Sequence, residues 1–165
     1  MASKSPGTRG ETIVGVISDT HGLLRPEAVS ALGGSEVIVH AGDVADPEIL
    51  RELTKIAPVH AVRGNIDTAL ARVLPAFEVV EVGEISIYVL HDRKQLDLKP
   101  NAAGFAAVIS GHSHQPAQEI VDGVLYFNPG SAGPGKFRLP VTVGRLRVSG
   151  KQIEAQIIRL LPEER

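Results

Sequence analysis

The order of apolar runs predicts an α/β fold in which two packed, mixed β-sheets carry helices on their outer faces. Three observations predict it. The first half of the chain alternates short apolar runs with amphipathic segments in a β-α-β-α-β order. The second half changes rhythm and becomes a series of strands around hairpin turns. The apolar residues are mostly Val, Ile, Leu and Ala with only 4% aromatics, the composition of a sheet-rich core.

Taken in order, Ile13 to Ile17 is a short apolar run bounded by polar residues, which suits a buried strand. Pro26 to Leu32 predicts a short helix, with Pro in its first turn, Ala28, Val29 and Leu32 on one face, and Gly33 after its end. Val37 to Val39 is the second strand. Asp46-Pro47 then starts a helix whose stripe is Ile49, Leu50, Leu53 and Ile56. Val59 to Val62 is the third strand. Phe77 to Val82 and Ile85 to Leu90 flank Gly83-Glu84, and Phe105 to Ile109 is another strand. Ile120 to Phe127 is broken by Asp122-Gly123, and Val141 to Val148 and Ile153 to Ile158 flank Ser149-Gly150, both hairpin signals.

The chain has 165 residues, 43% of them apolar, enough for one domain with a real core. Residues 1–10 read as a flexible tail and 11–165 as a single domain. The polar start has no apolar stretch behind its positive charges, so it does not read as a secretory signal. No apolar run approaches the roughly 20 residues needed to cross a bilayer. There are no cysteines, which excludes disulfides, thiolate zinc sites and cysteine nucleophiles and fits a cytoplasmic protein. The formal net charge of −2 argues against nucleic-acid binding by bulk electrostatics. A homodimer or higher homo-oligomer is the default for a chain of this size.

The chemistry-bearing residues sit at strand ends. Asp19-Thr20-His21 follows the first strand, Gly42-Asp43 the second and Gly64-Asn65 the third. His91 ends the Ile85 to Leu90 strand, and Gly111-His112-Ser113-His114 follows Phe105 to Ile109. Ligands collect at the carboxyl ends of strands in open α/β sheets. Residues i and i+2 of extended backbone share a side, so Asp19 and His21 could hold one ion together, while His112 and His114 could divide between two if the loop turns. A carboxylate such as Asp43 can bridge two cations. Imidazole with carboxylate suits Mn, Fe, Zn, Co or Ni better than Ca or Mg. The glycines beside Asp43, Asn65 and His112 allow sharp turns and close approach.

The ordered set D-x-H, G-D, G-N, H and G-H-x-H, from Asp19 to His114, resembles the calcineurin-like metallophosphoesterase superfamily. With the Asn128-Pro129-Gly130-Ser131 turn and the small size, it looks most like the branch of small bacterial and archaeal phosphodiesterases. The resemblance implies a four-layer α/β/β/α sandwich and a two-metal centre, with Mn first and Ni, Fe, Zn or Co as alternatives. One ion would be held by Asp19, His21, Asp43 and His114, the other by Asp43, Asn65, His91 and His112. Asp43, Asn65 and His112 would be the catalytic members, and a hydroxide between the ions would attack a small phosphate-ester substrate. The same fold serves as a retromer subunit in eukaryotes, so a non-catalytic protein-binding scaffold is one alternative, and a phosphomonoesterase is another.

Two positions depart from the pattern. Larger members carry His after the Asn, and the small branch often has Cys; here Ile66 offers neither a proton nor a hydrogen bond to a phosphate. The family usually has Gly after the fourth-motif His, where this chain has Asp92. His40 reads as a structural histidine or as one that orients a ligand, His60 as structural, Arg63 as an exposed salt-bridging residue or a phosphate contact, and Arg145 and Arg147 as a solvated strand face. Asp67 reads equally as support for a ligand or as the end of a turn. Asn128 to Ser131 reads as a turn near the site, and Lys136 and Arg138 as no more than weak candidates for substrate contact.

Overall fold

The computed structural model describes residues 10–135 and 138–162, so residues 1–9 of the predicted tail, and Lys136, lie outside the described residues. The chain runs β1 (Glu11–Ile17), α1 (Pro26–Ala31), β2 (Val37–His40), α2 (Pro47–Thr54), β3 (Val59–Ala61), β4 (Phe77–Val82), β5 (Ile85–Leu90), α3 (Pro100–Ala103), β6 (Ala107–Ile109), β7 (Ala117–Val121), β8 (Val124–Asn128), β9 (Thr142–Ser149) and β10 (Gln152–Arg159). Two five-stranded sheets result, ordered β10-β9-β1-β2-β3 and β4-β5-β6-β8-β7. The pairs β1–β2, β2–β3, β5–β6 and β6–β8 are parallel, and the hairpin pairs and β1–β9 are antiparallel. Both sheets are therefore mixed, as predicted.

Alternation along each strand sorts side chains between layers. Val14 and Val16 of β1, with Ile87 and Val89 of β5, enter the core between the sheets, where Phe127 and Leu146 are also buried. Ile17 and Ile38 point the other way and pack against Ala28 of α1, Leu32 at its end, and Ile49 and Leu53 of α2. Each such aliphatic side chain removed from water contributes about 1.5–3 kcal/mol. On the outer face of the second sheet, Tyr88, Leu90 and Val108 are covered by Leu96, Leu98 and Phe105. That outer layer is thin: among the described residues its one α-helix is the four-residue α3, closed by Gly104 at φ 86°. Its brevity leaves no periodic signal in the sequence.

α2 begins where expected. The Asp46 carboxylate accepts the Glu48 N–H at 2.9 Å, and Pro47 occupies the first turn. Among the described residues no helix is long and apolar enough to cross a membrane. The parallel strands β1, β2, β3, β5 and β6 bring the residues that follow their carboxyl ends together along one edge of the sandwich.

Candidate metal centre

The strand-end residues converge. Asp19 Oδ1 lies 3.7 Å from His21 Nε2, 3.4 Å from His114 Nε2 and 3.9 Å from His91 Nε2. Asp43 Oδ2 lies 3.5 Å from His21 Nε2 and 3.2 Å from His91 Nε2. Asp19, His21 and His114 form one group whose ligand atoms could share a cation, and Asp19, Asp43 and His91 form another. Asn65 and His112 stand at the side, lining a cleft of about 500 Å³ together with His91. The His112 ring packs edge-on to that of His91 at 5.1 Å, and its Nε2 is 3.8 Å from Asp92 Oδ2. Asp92, in place of the expected glycine, thus faces a predicted ligand and also caps the Arg93–Gln95 turn through the Lys94 N–H.

The backbone at the cluster is unusual. Asp19, His21, Asp43, His112 and His114 all have positive φ, between 47° and 70°. Non-glycine residues enter this region at a cost, and it persists where surrounding bonds over-determine it. Those bonds are present. Asp19 N–H donates to Gly42 O at 3.0 Å and His21 N–H to Asp43 O at 2.9 Å, which ties the first loop to the second. Asp19 Oδ2 accepts from Ser18 Oγ at 2.7 Å and from the His112 N–H at 3.0 Å, which ties the first to the last. Gly64 and Gly111 permit the approach: a Cβ on Gly64 would lie 2.1 Å from Asp43 Oδ1, and one on Gly111 2.0 Å from Ser18 Oγ.

Neighbouring residues hold the cluster in place. The buried Asp67 carboxylate accepts three backbone N–H groups: Val44 at 3.1 Å, Ala45 at 2.8 Å and Gly64 at 2.8 Å. It clamps the Asp43 loop to the Asn65 loop, while its own N–H closes the turn on Gly64 O at 3.2 Å, so features of both its readings are present. His40 is fully buried, bonded to Gly42 and Thr20 and not aimed at the cluster. The Asn128–Ser131 turn packs at the site as expected, with Asn128 Nδ2 donating to Gly111 O at 3.0 Å and Ser131 Oγ to Asp19 O at 2.8 Å. Arg63 differs from expectation: it is half-buried and its Nη1 donates to the Leu74 carbonyl at 3.0 Å. Arg145, half-buried, donates to Ala31 O, whereas Arg147 is exposed and faces Glu11.

The electrostatics favour a cation. His91 Nδ1 lies 2.7 Å from Ala41 O; a carbonyl only accepts, so Nδ1 carries a proton, and when the ring is neutral its lone pair is on Nε2. That buried Nε2 makes no hydrogen bond, although Asp43 Oδ2 lies 3.2 Å away, and the buried Asp19 Oδ1 makes none either. Burial pushes the Asp19 carboxyl above its ordinary range despite the Ser18 bond and the His91 and His114 rings. Burial also acts against a charged Asp43, but His91, the Ile66 N–H and His21 outweigh it and bring Asp43 down to about 2. Burial disfavours a charged His91, yet the Asp43 and Asp19 carboxylates raise it overall. Positive charge among these atoms is what the two carboxylates stabilise, and imidazole and carboxylate donors suit a divalent transition ion.

The chain is similar to known proteins over most of its length. The chain is 36% identical over 159 residues to a probable metallophosphoesterase of Methanothermobacter thermautotrophicus, covering 89% of this chain and 92% of that one. It is 26% identical over 159 residues to a phosphodiesterase of Methanocaldococcus jannaschii, covering 84% of this chain and 95% of the relative. In fold it is similar to vacuolar protein sorting 29 of Chaetomium thermophilum, with a TM-score of 0.74 and 18% identity over 91% of this chain and 98% of that one. The sequence profile of the calcineurin-like phosphoesterase superfamily domain matches residues 13–151, and the chain therefore belongs to that superfamily.

Proposed function

We propose that this member is a two-metal-dependent phosphodiesterase. The observation that carries the reading is the pair of buried, unpartnered donor atoms, Asp19 Oδ1 and His91 Nε2, facing each other within a ring completed by His21, Asp43 and His114. Asp19, His21, Asp43 and His114 would hold one ion, and Asp43, Asn65, His91 and His112 the other, with Mn favoured and Ni, Fe, Zn or Co as alternatives. When bound, two such ions supply an activated water and neutralise charge on the phosphoryl oxygens.

The chain's own residues orient this chemistry. The Ala41 carbonyl holds the His91 ring through Nδ1, so Nε2 stays directed at the carboxylates. The Ile66 N–H holds Asp43 Oδ1 at 3.1 Å and leaves Oδ2 facing the histidines. Asn65 and His112 present polar groups to the phosphate from the cleft side. Ile66 supplies no proton, so the substrates turned over best are esters whose leaving group departs as an anion, such as aryl esters.

A diester fits the surroundings. The cleft of about 500 Å³ and a second of about 620 Å³ meet at His112 and Asp92, giving each ester substituent its own side. The named activity of the M. jannaschii relative points the same way. The scaffold alternative draws on the fold likeness to vacuolar protein sorting 29. Purified protein assayed with Mn, Ni, Co, Fe and Zn on bis(p-nitrophenyl) phosphate and p-nitrophenyl phosphate separates these readings. The enzyme hydrolyses the diester faster, and Asp43→Ala abolishes the reaction. No turnover above background with any of the metals would leave only the scaffold.

A further inference from the structure

The 500 Å³ cleft runs from Asn65, His91 and His112 onto the outer face of the second sheet, where Phe77, Tyr88 and Leu90 form its wall. Strand register puts Phe77 there. In β4, Val80 and Val82 enter the core between the sheets, so Phe77 faces the other way, and it pairs directly with Leu90, the residue before His91. The Phe77 ring stacks on Tyr88 at 5.5 Å and 17°, and Tyr88 meets Phe105 edge-on at 5.2 Å. Tyr88 is buried, whereas Phe77 is 55% exposed, so the row of rings ends in an open aromatic surface at the cleft. Gln95 and Asp97 add polar groups to the same lining. In a chain with only 4% aromatics, half of the six Phe and Tyr residues are spent on this row.

The geometry points to a substrate subsite on Phe77 for a planar aromatic ester group, with the phosphate at the ligand cluster. The inference rests on the reading of that cluster as the phosphate-handling centre. The distance suits one ester. Phe77 is one strand spacing, about 4.8 Å, and one residue rise, about 3.3 Å, from His91, within the span of a phosphate and its attached ring. An aromatic wall favours a flat π-face over an aliphatic group of equal bulk, because stacking adds to simple area burial.

Calorimetric titration of the Mn-loaded full chain with phenyl-, cyclohexyl- and methylphosphonate, none of which can be hydrolysed, tests this without relying on turnover. Phenylphosphonate is expected to bind roughly tenfold more tightly than methylphosphonate, with cyclohexylphosphonate nearer the methyl compound. In Phe77→Ala the phenyl-to-methyl ratio falls to about two. Phe77→Tyr keeps the ratio, and Phe77→Leu, which preserves apolar area on the strand, loses it. Phenyl and methyl compounds binding alike, or Leu serving as well as Tyr, would overturn the subsite and leave the metal-centre reading intact. If no phosphonate binds the Mn-loaded protein, the metal-centre reading fails and the subsite falls with it.

Discussion

The Nε2 atoms of His21 and His114 lie 3.2 Å apart, and both face Asp19 Oδ1. At this separation the rings share one proton at most, and the buried Asp19 Oδ1 beside them has no donor. A divalent ion satisfies both rings and the carboxylate together. Mn is therefore expected to raise the melting temperature by roughly 5–10 °C at saturating concentration, and a chelator to reverse it. Asp19→Asn keeps an acceptor for the His112 N–H and tolerates the positive φ of 54° at this position. Scanning calorimetry should show that this variant loses most of the metal-dependent shift while its metal-free melting temperature changes little. An undiminished shift would remove Asp19 from the ligand set.

Asp67 is the second test. Its carboxylate satisfies the N–H groups of Val44, Ala45 and Gly64 from within the protein. Removing it strands three donors, each costing about 1–3 kcal/mol where burial keeps water away. Asp67→Ala should lower unfolding stability by about 3 kcal/mol or more, and Asp67→Asn by less, since its amide turns one acceptor into a donor. Metal affinity should fall as well, because the clamp holds Asp43 and Ala45 at φ 57° and 71°. Urea unfolding with a parallel metal titration checks both effects; wild-type stability in Asp67→Ala would show that the clamp carries no energy.

These two positions mark the limit of what could be read from letters. Strand runs, hairpin turns and the placing of Asp19, His21, Asp43, His91 and His114 after strands were legible, because each depends on spacing within a few residues. The role of Asp67 was not, because two of its three partners lie 22 and 23 residues away and are backbone groups that any residue carries. The left-handed backbone at five predicted ligands left no trace either, since no glycine occupies those positions. Phe77 read only as the start of a strand; its exposure at the cleft follows from the register of β4 on β5, which residue order does not specify.

Ile66 gives a test of leaving-group chemistry. Its N–H bonds Asp43 Oδ1, its side chain is 42% exposed, and it follows Asn65 on the loop that lines the cleft. With no proton donor there, turnover in the wild type should fall steeply as the leaving group becomes more basic. Ile66→His places an ionisable ring on the same backbone. It should raise turnover of phenyl or alkyl esters by roughly 10²-fold while changing that of p-nitrophenyl esters only a few-fold. The slope of log kcat against leaving-group pKa is the measurement. An equal slope in both proteins would show that protonation at this position does not limit the reaction.

His40 predicts a pH dependence of stability with a definite sign. Gly42 N–H donates to its Nδ1 at 3.2 Å, and its Nε2 lies 3.0 Å from Thr20 Oγ1, whose hydroxyl donates to Val44 O at 3.1 Å. The hydroxyl's one proton is committed to Val44, so it accepts from Nε2–H and the ring is held neutral. Burial lowers its pKa to about 4; Asp67 and Asp43 oppose the drop, while His91 and His21 add to it. The unfolded chain takes up this proton near pH 6.5 and the folded protein only near 4, so unfolding binds a proton between those values. Stability should therefore rise with pH through that window and level off above it, with about 2 kcal/mol gained from this residue between pH 5 and 7.5. Urea unfolding of the metal-free protein at the two pH values, wild type against His40→Gln, isolates the contribution, because the other histidines are common to both. The variant should show a difference between the two pH values smaller by that amount. An identical difference in both proteins would mean that His40 takes up its proton in the folded state, which the donor at Nδ1 forbids.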